Sequence, residues 1–449
     1  MKIYQLCFMG ALVSSFTIAN AQDLEEFVKG IEVGGFLRYR LTDTRVENYD
    51  FTNGLNGTGS TYASSYGQGA GQQWRINADF TTPEVQGFSA TLGTQYWKTY
   101  VANSGDVLGN GLGAGKDGDF GVSTYYLKYH IPHTQSFVRA GKSRIDTPVH
   151  DPLDDRIHGV WFESHDAPGV VLHAGLSDTF SLDDGAMALP FAAGQDSISK
   201  NYYQLGAKVD LQGFNAQALY LGVQDFINYL FYLSAGYEHP NFHVKGEYAF
   251  SQLQGAGFQA LIPNIEIEEN HALYTLEAGV RLSLLGVRVG YIGSGNDGYA
   301  VALDNQGGFQ MAGWIWNEYS ITGIGYSPFG NLPTQSERLH AAYGSVSLHF
   351  LEKDALKLAV DYVKGGRKIE AANEILDFVE IAPYIGWQYN EKLHFYVYYA
   401  MLSAKKTPKL PAGMTLEDLW YGDYSYDNNA PRYADAKQNR LRVQVRYNF

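Results

Sequence analysis

Apolar and polar residues alternate along this chain with a period of two, in one segment after another. The clearest case is Arg440-Leu-Arg-Val-Gln-Val-Arg-Tyr-Asn-Phe449. Leu441, Val443, Val445, Tyr447 and Phe449 are apolar, while Arg440, Arg442, Gln444, Arg446 and Asn448 are polar. That period predicts a β-strand with one greasy and one wet face. Val33, Leu37, Tyr39 and Leu41 alternate with Gly34, Phe36, Arg38 and Arg40 in the same way. Trp74, Ile76, Ala78 and Phe80 alternate with Arg75, Asn77 and Asp79. Similar runs begin near Phe88, Phe242, Tyr274 and Leu393. Each spans roughly 9–13 residues, the length of a tilted strand crossing a bilayer. A terminal strand with a free edge is an aggregation hazard, and closure into a barrel is the fullest way to pair it.

The connections carry a second rhythm. Short turns are expected at 83–87, 132–135, 166–169, 212–213, 239–241, 285–286, 352–354 and 390–392. Between them come longer polar segments rich in Gly, Asn and Ser, at about 47–71, 102–119, 143–158, 177–199, 252–268, 294–334, 365–374 and 405–436. A tight connection at 224–226 is the exception. Short and long connections on opposite ends are the asymmetry of transmembrane barrels, with short periplasmic turns and long extracellular loops. The fold class expected is therefore all-β, a transmembrane antiparallel β-barrel of about 18 strands, or 16 if residues 156–177 are one strand rather than two. At either number the lumen is too wide for wall side chains to fill, so water enters it.

Composition narrows the class. No run of 18 apolar residues follows Ala21, which excludes a transmembrane helix. The mean hydropathy of −0.24 still suits a barrel, because only every second strand residue meets lipid. The 34 tyrosines suit aromatic girdles at the two bilayer interfaces. Lys2, the apolar stretch Ile3 to Ala19 and the small-x-small run Ala19-Asn20-Ala21 read as a secretory signal, residues 1–21, leaving one domain over 22–449. Cys7, the only cysteine, lies inside that signal, so the mature chain has no disulfide, thiolate metal site or cysteine nucleophile. A formal charge of −14 argues against a nucleic-acid partner, which needs a basic footprint.

The segment 143–158 is the densest in charge. It carries Asp146, Asp151, Asp154 and Asp155 beside Arg144 and Arg156, and Pro148 and Pro152 stiffen it. Gly141-Lys142, Ile145-Asp146-Thr147-Pro148 and Asp155-Arg156-Ile157 resemble the loop-three region of the OprD-like outer-membrane porin family. Gly35-Phe36-Leu37-Arg38-Tyr39-Arg40 and the Phe-ended last strand are similar to the related 18-stranded major outer membrane proteins. The resemblance covers the mature chain as architecture and is sharp over those three patches. It implies a water-filled diffusion channel, often a homotrimer, with loop three folded into the lumen as a constriction of opposed acidic and basic groups. Small hydrophilic nutrients and ions, carboxylate-bearing solutes among them, would be its cargo, and outer-membrane lipid its surroundings.

Strand parity points Arg38, Arg40, Arg75, Arg139, Arg440, Arg442 and Arg446 inward, and Arg144 starts the third long loop. Because the last strand closes on the first, five of these would form one basic wall facing the acidic residues of loop three. Opposed charges in a narrow gap create a transverse field that orients dipolar solutes. Ordinary lining of an aqueous wall is the plainer reading of the same arginines.

Other motifs carry less. Gly113-Ala-Gly-Lys116 lacks the upstream Gly and the following Ser or Thr of a phosphate loop. His239 and His243 flank a turn and are no helical zinc pair. Ser164, His165 and Asp166 are adjacent, whereas a catalytic triad needs convergence in space. No enzyme activity and no cofactor are expected. Calcium is the one candidate ion, at Asp151, Asp154 and Asp155, with Asp117 and Asp119 as a second group, since hard cations take clustered carboxylates. Trp314 and Trp316 read as part of a loop packed on itself as a lid over the barrel mouth, or as an exposed contact surface. The expected function is a passive outer-membrane porin. The alternatives are a solute-selective uptake channel for small carboxylates, and a surface adhesin or structural envelope protein.

Overall fold

The structure, a computed structural model, describes residues 28–47, 69–101, 107–108, 121–151, 153, 155–181, 198–261, 267–295, 297–303, 308–317, 336–369, 374–407 and 435–449. The expected signal segment lies outside them, as do Asp154, Gly113 to Lys116, Asp117 and Asp119.

The described strands are β1 (Glu32–Glu47), β2 (Gly69–Thr81), β3 (Phe88–Val101), β4 (Val107–Leu108), β5 (Gly121–His130), β6 (Ser136–Arg144), β7 (Arg156–Ser164), β8 (Val170–Ser181), β9 (Tyr202–Leu211), β10 (Phe214–Val223), β11 (Ile227–His239), β12 (Phe242–Leu253), β13 (Asn270–Leu282), β14 (Leu285–Ser294), β15 (Glu337–Phe350), β16 (Leu356–Ile369), β17 (Glu374–Gln388), β18 (Leu393–Thr407) and β19 (Asp435–Asn448). β4 is a two-residue rung on the outer end of β3. The other eighteen form the wall, each antiparallel to its neighbours in sequence. The residues 156–177 thus divide into β7 and β8. β1 closes on β19 from Phe36↔Asn448 to Glu47↔Lys437, and Gly35 and Phe449 exchange backbone hydrogen bonds of 3.2 and 3.1 Å.

The two-residue period sorts the faces. Outward positions such as Val33, Leu37, Trp74, Leu205, Leu276, Val289 and Tyr447 are exposed, although most are apolar. Arg75, Asn77, Gln95 and Gln438 are buried on the other face. This is the reverse of a soluble sheet and the arrangement a bilayer demands.

Two connections differ from the sequence expectation. The turn expected at 285–286 falls instead between β13 and β14, where Ser283 takes the left-handed conformation (φ 53) and Leu282 pairs with Leu285. The loop expected at 365–374 shrinks to the few residues between Ile369 and Glu374, because β16 continues through Gly365 and Gly366. Gly365 is there for space: a Cβ would lie 2.6 Å from the Ala341 Cβ and 2.7 Å from the Phe378 ring. Helix α1 (Gly255–Leu261), in the connection after β12, had no signal in the periodicity.

Gly365→Val should therefore strain β16 against β15 and β17. An overpacked site of this kind costs about 1–3 kcal/mol. The check is the urea midpoint of the heat-modifiable band on a gel, which should fall while the wild-type strand signature in circular dichroism persists.

Candidate pore lining

The arginines of β19, β1 and β2 lie side by side. Register sets Arg38 between Arg446 on one strand and Arg75 on the other. Like charges directly opposite one another repel, and the wall answers with aromatic and amide partners. Arg446 lies 4.2 Å over the Phe36 ring, and Arg75 lies 5.5 Å from Phe36 and 5.2 Å from Trp97. Such contacts hold a cation by about 0.5–2 kcal/mol. Arg38 Nη2 donates to Gln73 at 2.6 Å, and Arg40 Nε donates to Gln444 at 2.9 Å. Gln444 also accepts the Tyr396 hydroxyl at 3.1 Å. Arg442 Nε donates to Thr42 at 3.2 Å, with its guanidinium 5.5 Å from the Tyr398 ring. Arg440 is buried beside them.

Two of the expected arginines stand apart. Arg139, on β6, covers Trp161 at 5.0 Å and donates to the Arg144 carbonyl at 3.0 Å. Arg144 pairs with Asp79 of β2 at 2.8 Å.

The segment after Arg144 packs against inward-facing side chains. Ile145, Val149 and His150 are fully buried. Arg75 reaches the Leu153 carbonyl at 3.5 Å, and His150 meets the Tyr202 ring edge-on at 5.8 Å. Of the expected acidic residues, Asp146 is exposed. Asp155 and Asp151 are buried and turned toward their own loop: Asp155 Oδ2 accepts the Asp151 N–H at 2.9 Å, and Asp151 Oδ1 accepts the Leu153 N–H at 2.6 Å. One oxygen of each is so engaged; Asp154, the third residue of the calcium expectation, lies outside the described residues, and among the described residues no three metal-ligating side chains gather. No step of the function below passes through a metal.

A second segment, 297–317, joins the first. Leu303 N donates to the Val149 carbonyl at 2.8 Å, and Gly308 N donates to Pro148. Val301, Leu303, Phe309, Ile315 and Trp316 are buried against Leu273, Ile292, Leu339, Val363 and Phe378 of the inner wall. The tryptophans are therefore no part of a lid packed on itself. Trp316 stacks on Phe378 at 5.6 Å, and Trp314 stacks on Tyr398 at 4.3 Å.

Wall carboxylates hold this segment by its backbone. Glu380 accepts from Trp314 N at 2.5 Å, Ile315 N at 3.1 Å and Trp316 N at 2.8 Å. Asp361 accepts from Gly313 N at 3.0 Å, and Glu247 from Phe309 N at 3.0 Å. Gly313 takes a left-handed conformation (φ 95), and a Cβ there would meet the Trp316 ring at 2.4 Å. Sequence reading missed these three carboxylates. Their signal was an acid at an inward position of an otherwise apolar strand, as in Phe378-Val-Glu380-Ile-Ala382.

The other motifs resolve into structure. Asp166 ties two turns together, accepting from Gln135 N at 2.5 Å and Ser136 Oγ at 2.6 Å, and these bonds hold its carboxyl below the usual range. His165 meets Glu163 instead, at 2.7 Å. His239 stacks on Phe242, while His243 pairs with Glu277 at 3.1 Å, so the two histidines share no ligand.

Eighteen antiparallel strands, apolar outside and lined with arginine inside, define a bacterial outer-membrane barrel of the channel class. The family model of the Campylobacter major outer membrane protein matches residues 1–414, and the chain belongs to that family. Acinetobacter baumannii OccAB1 is similar in structure, with a TM-score of 0.62 at 14% identity over 94% of this chain and 98% of that one. Pseudomonas aeruginosa OprD gives 0.57 at 14% identity over 94% and 96%. Pseudomonas aeruginosa OpdK, solved with vanillate, gives 0.55 at 14% identity over 94% and 100%. Identities this low carry the fold alone. No curated protein matches the chain. Family and fold are those of a channel rather than a catalyst.

Two measurements test the interior. Glu380→Ala leaves three backbone donors without their acceptor, at about 1–3 kcal/mol. Amide exchange at Trp314 to Trp316 should then quicken by roughly 10–100-fold. Burial also pushes the His150 imidazole from 6.5 to about 3. Below pH 6.5 the released segment takes up a proton that the packed one refuses. Packing is thus at full strength above pH 6.5 and weakens by about 1.4 kcal/mol per pH unit down to about 3. Exchange across 145–151, corrected for its intrinsic pH dependence, should rise between pH 7 and 5, and His150→Gln should remove that rise.

Proposed function

We propose that the protein is a passive porin through which ions and small hydrophilic solutes diffuse down their gradients. Residues 143–158 serve as the constriction, joined by 297–317. The basic side of the passage is Arg38, Arg40, Arg75, Arg440, Arg442 and Arg446, with Arg139 and Arg144 at the root of the constriction; Asp146, Asp151, Asp154 and Asp155 are its acidic side. The observation that carries this reading is the arginine row across β19, β1 and β2, where like charges stand at adjacent register positions. Such a row gains from a passing anion and loses little by being solvated. Export by a signal at residues 1–21, supported by the sequence Lys2, Ile3 to Ala19 and Ala19-Asn20-Ala21, and assembly as a homotrimer, supported by resemblance, belong to the same proposal.

A second reading gives the channel a preference for carboxylate-bearing solutes. It is favoured by the same arginines standing beside Tyr396 and Tyr398, and by the vanillate in OpdK, an aromatic carboxylate bound by a protein of the same fold. Liposome swelling compared across amino acids, sugars and carboxylates separates the two readings.

The direct test is conductance in a planar bilayer, with a reversal potential in a salt gradient. A folded barrel that fails to conduct overturns the porin reading. Arg38→Ala, Arg40→Ala and Arg442→Ala together should move selectivity toward cations. One unit charge about 5 Å from an ion is worth about 0.8 kcal/mol in water, roughly fourfold in partition before screening. An unchanged reversal potential removes the basic wall from the account.

A further inference from the structure

One row of the inner wall differs from the rest. Register sets Arg40, Gln444, Tyr396, Gly386, Lys357 and His349 side by side across β1, β19, β18, β17, β16 and β15. Toward one end, Arg40 Nε and the Tyr396 hydroxyl both donate to Gln444 Oε1, at 2.9 and 3.1 Å. Toward the other, Lys357 stands over the Tyr384 ring at 5.2 Å, and among the described residues no carboxylate pairs with it. Gly386 lies between Tyr396 and Lys357.

Glycines on the inner face of this barrel commonly seat a ring. Trp161 lies over Gly175, His173 over Gly206 and Tyr343 over Gly290, each so close that a Cβ would strike it. At Gly386 a Cβ would meet nothing within 4 Å. Gly34 is open as well, but it pairs with Asp79, whose carboxylate repels an acid. The gap over Gly386 has aromatic and cationic sides instead. Tyr384, two residues along β17, closes its top and packs edge-on against Trp314 at 5.4 Å. Trp314 belongs to the segment 297–317, so the gap lies on the short-turn side of that segment, where a solute arrives after passing it. Tyr384, Tyr396 and Lys357 are each half-buried.

The gap selects its occupant by shape and charge. Two strand spacings, roughly 10 Å of wall, separate Tyr396 from Lys357. A planar ring laid over Gly386 meets a tyrosine beside it and another above it, and aromatic pairs gain beyond their buried area. A carboxylate on that ring reaches the Lys357 ammonium in a charge-assisted hydrogen bond. A short aliphatic acid reaches Lys357 and leaves the gap unfilled. The row holds no Asp or Glu, so the ammonium of an amino acid finds no partner in it and faces Lys357 instead.

We propose that Gly386, Tyr384, Tyr396 and Lys357 form a subsite for aromatic monocarboxylates on the periplasmic side of the constriction. The proposal rests on the carboxylate reading above and names its substrate class.

The test is the single-channel current of the whole barrel in KCl, with benzoate, acetate, benzamide or phenylalanine added on both sides. Benzoate should reduce the current saturably, and each of the other three should need roughly tenfold more for half-block. Gly386→Leu, which fills the gap, should raise the half-blocking concentration of benzoate by roughly tenfold and leave that of acetate unmoved. Lys357→Gln should raise both by roughly fivefold, the worth of one unit charge at about 4 Å in water. Heat-modifiable mobility shows which variants fold, and Lys357→Gln carries the test if Gly386→Leu does not. Equal block by benzoate and acetate overturns the subsite and leaves the carboxylate preference standing. Benzamide matching benzoate overturns both. Benzoate block unchanged in either folded variant overturns the assignment of these residues.

Discussion

The seam between β1 and β19 is the constraint on which everything else rests. In hydrocarbon an unpaired backbone N–H or C=O costs several kcal/mol, so a sheet with an edge cannot cross. Twelve register pairs and the Gly35–Phe449 exchange remove that edge. Closing eighteen strands also fixes the circumference, and the circumference creates a second difficulty: a lumen wider than its side chains can fill. The chain answers in two ways on two sides. Over much of β10–β18 the inner wall is apolar and is covered by the segments 145–151 and 297–317. Across β19, β1 and β2 it is arginine-lined, and Arg75 there reaches the Leu153 carbonyl of the third long loop.

A segment laid inside a barrel has no strand to pair with, so its backbone donors need other acceptors. Carboxylates suit the task because each offers two oxygens and, as a charged acceptor, holds an N–H donor more strongly than a neutral acceptor does. Glu380 gathers three successive N–H groups, while Asp361 and Glu247 take one each. Glu247 is further fixed by the Tyr232 hydroxyl at 2.6 Å, Thr275 at 3.0 Å and Lys245 at 2.9 Å. Position thus passes from rigid strands to an irregular segment through side chains that are themselves held in place.

The wall was legible because its signal is local. Each strand shows its period within about ten residues, and the alternation of short and long connections followed without any knowledge of contacts. Errors arose where glycine was read as punctuation. Gly286 and Gly365 lie within strands, where small size lets neighbours approach. The interior was less legible because its signal is non-local. Nothing near residues 309–316 in the sequence names Glu247, Asp361 or Glu380 as partners, and those acids occupy inward positions that an aqueous lining would equally explain. Loop three showed the opposite failing: its acids were conspicuous, yet Asp151 and Asp155 turn toward their own backbone.

That distinction bears on how charge should be read in such a lumen. The chain is formally −14, which taken alone suggests a passage for cations. But a carboxylate already bonded to two or three backbone N–H groups projects little field beyond them, since the donors' dipoles oppose it. The arginines differ: Arg38 and Arg40 donate to amides, Arg442 to a hydroxyl, and Arg446 lies over an aromatic face, contacts that position a cation. Net charge counts both kinds equally, whereas a solute in the lumen does not. On the proposed reading, the field across the passage is therefore set by the arginines of β19, β1 and β2, and the acidic total of the chain is a poor guide to what passes.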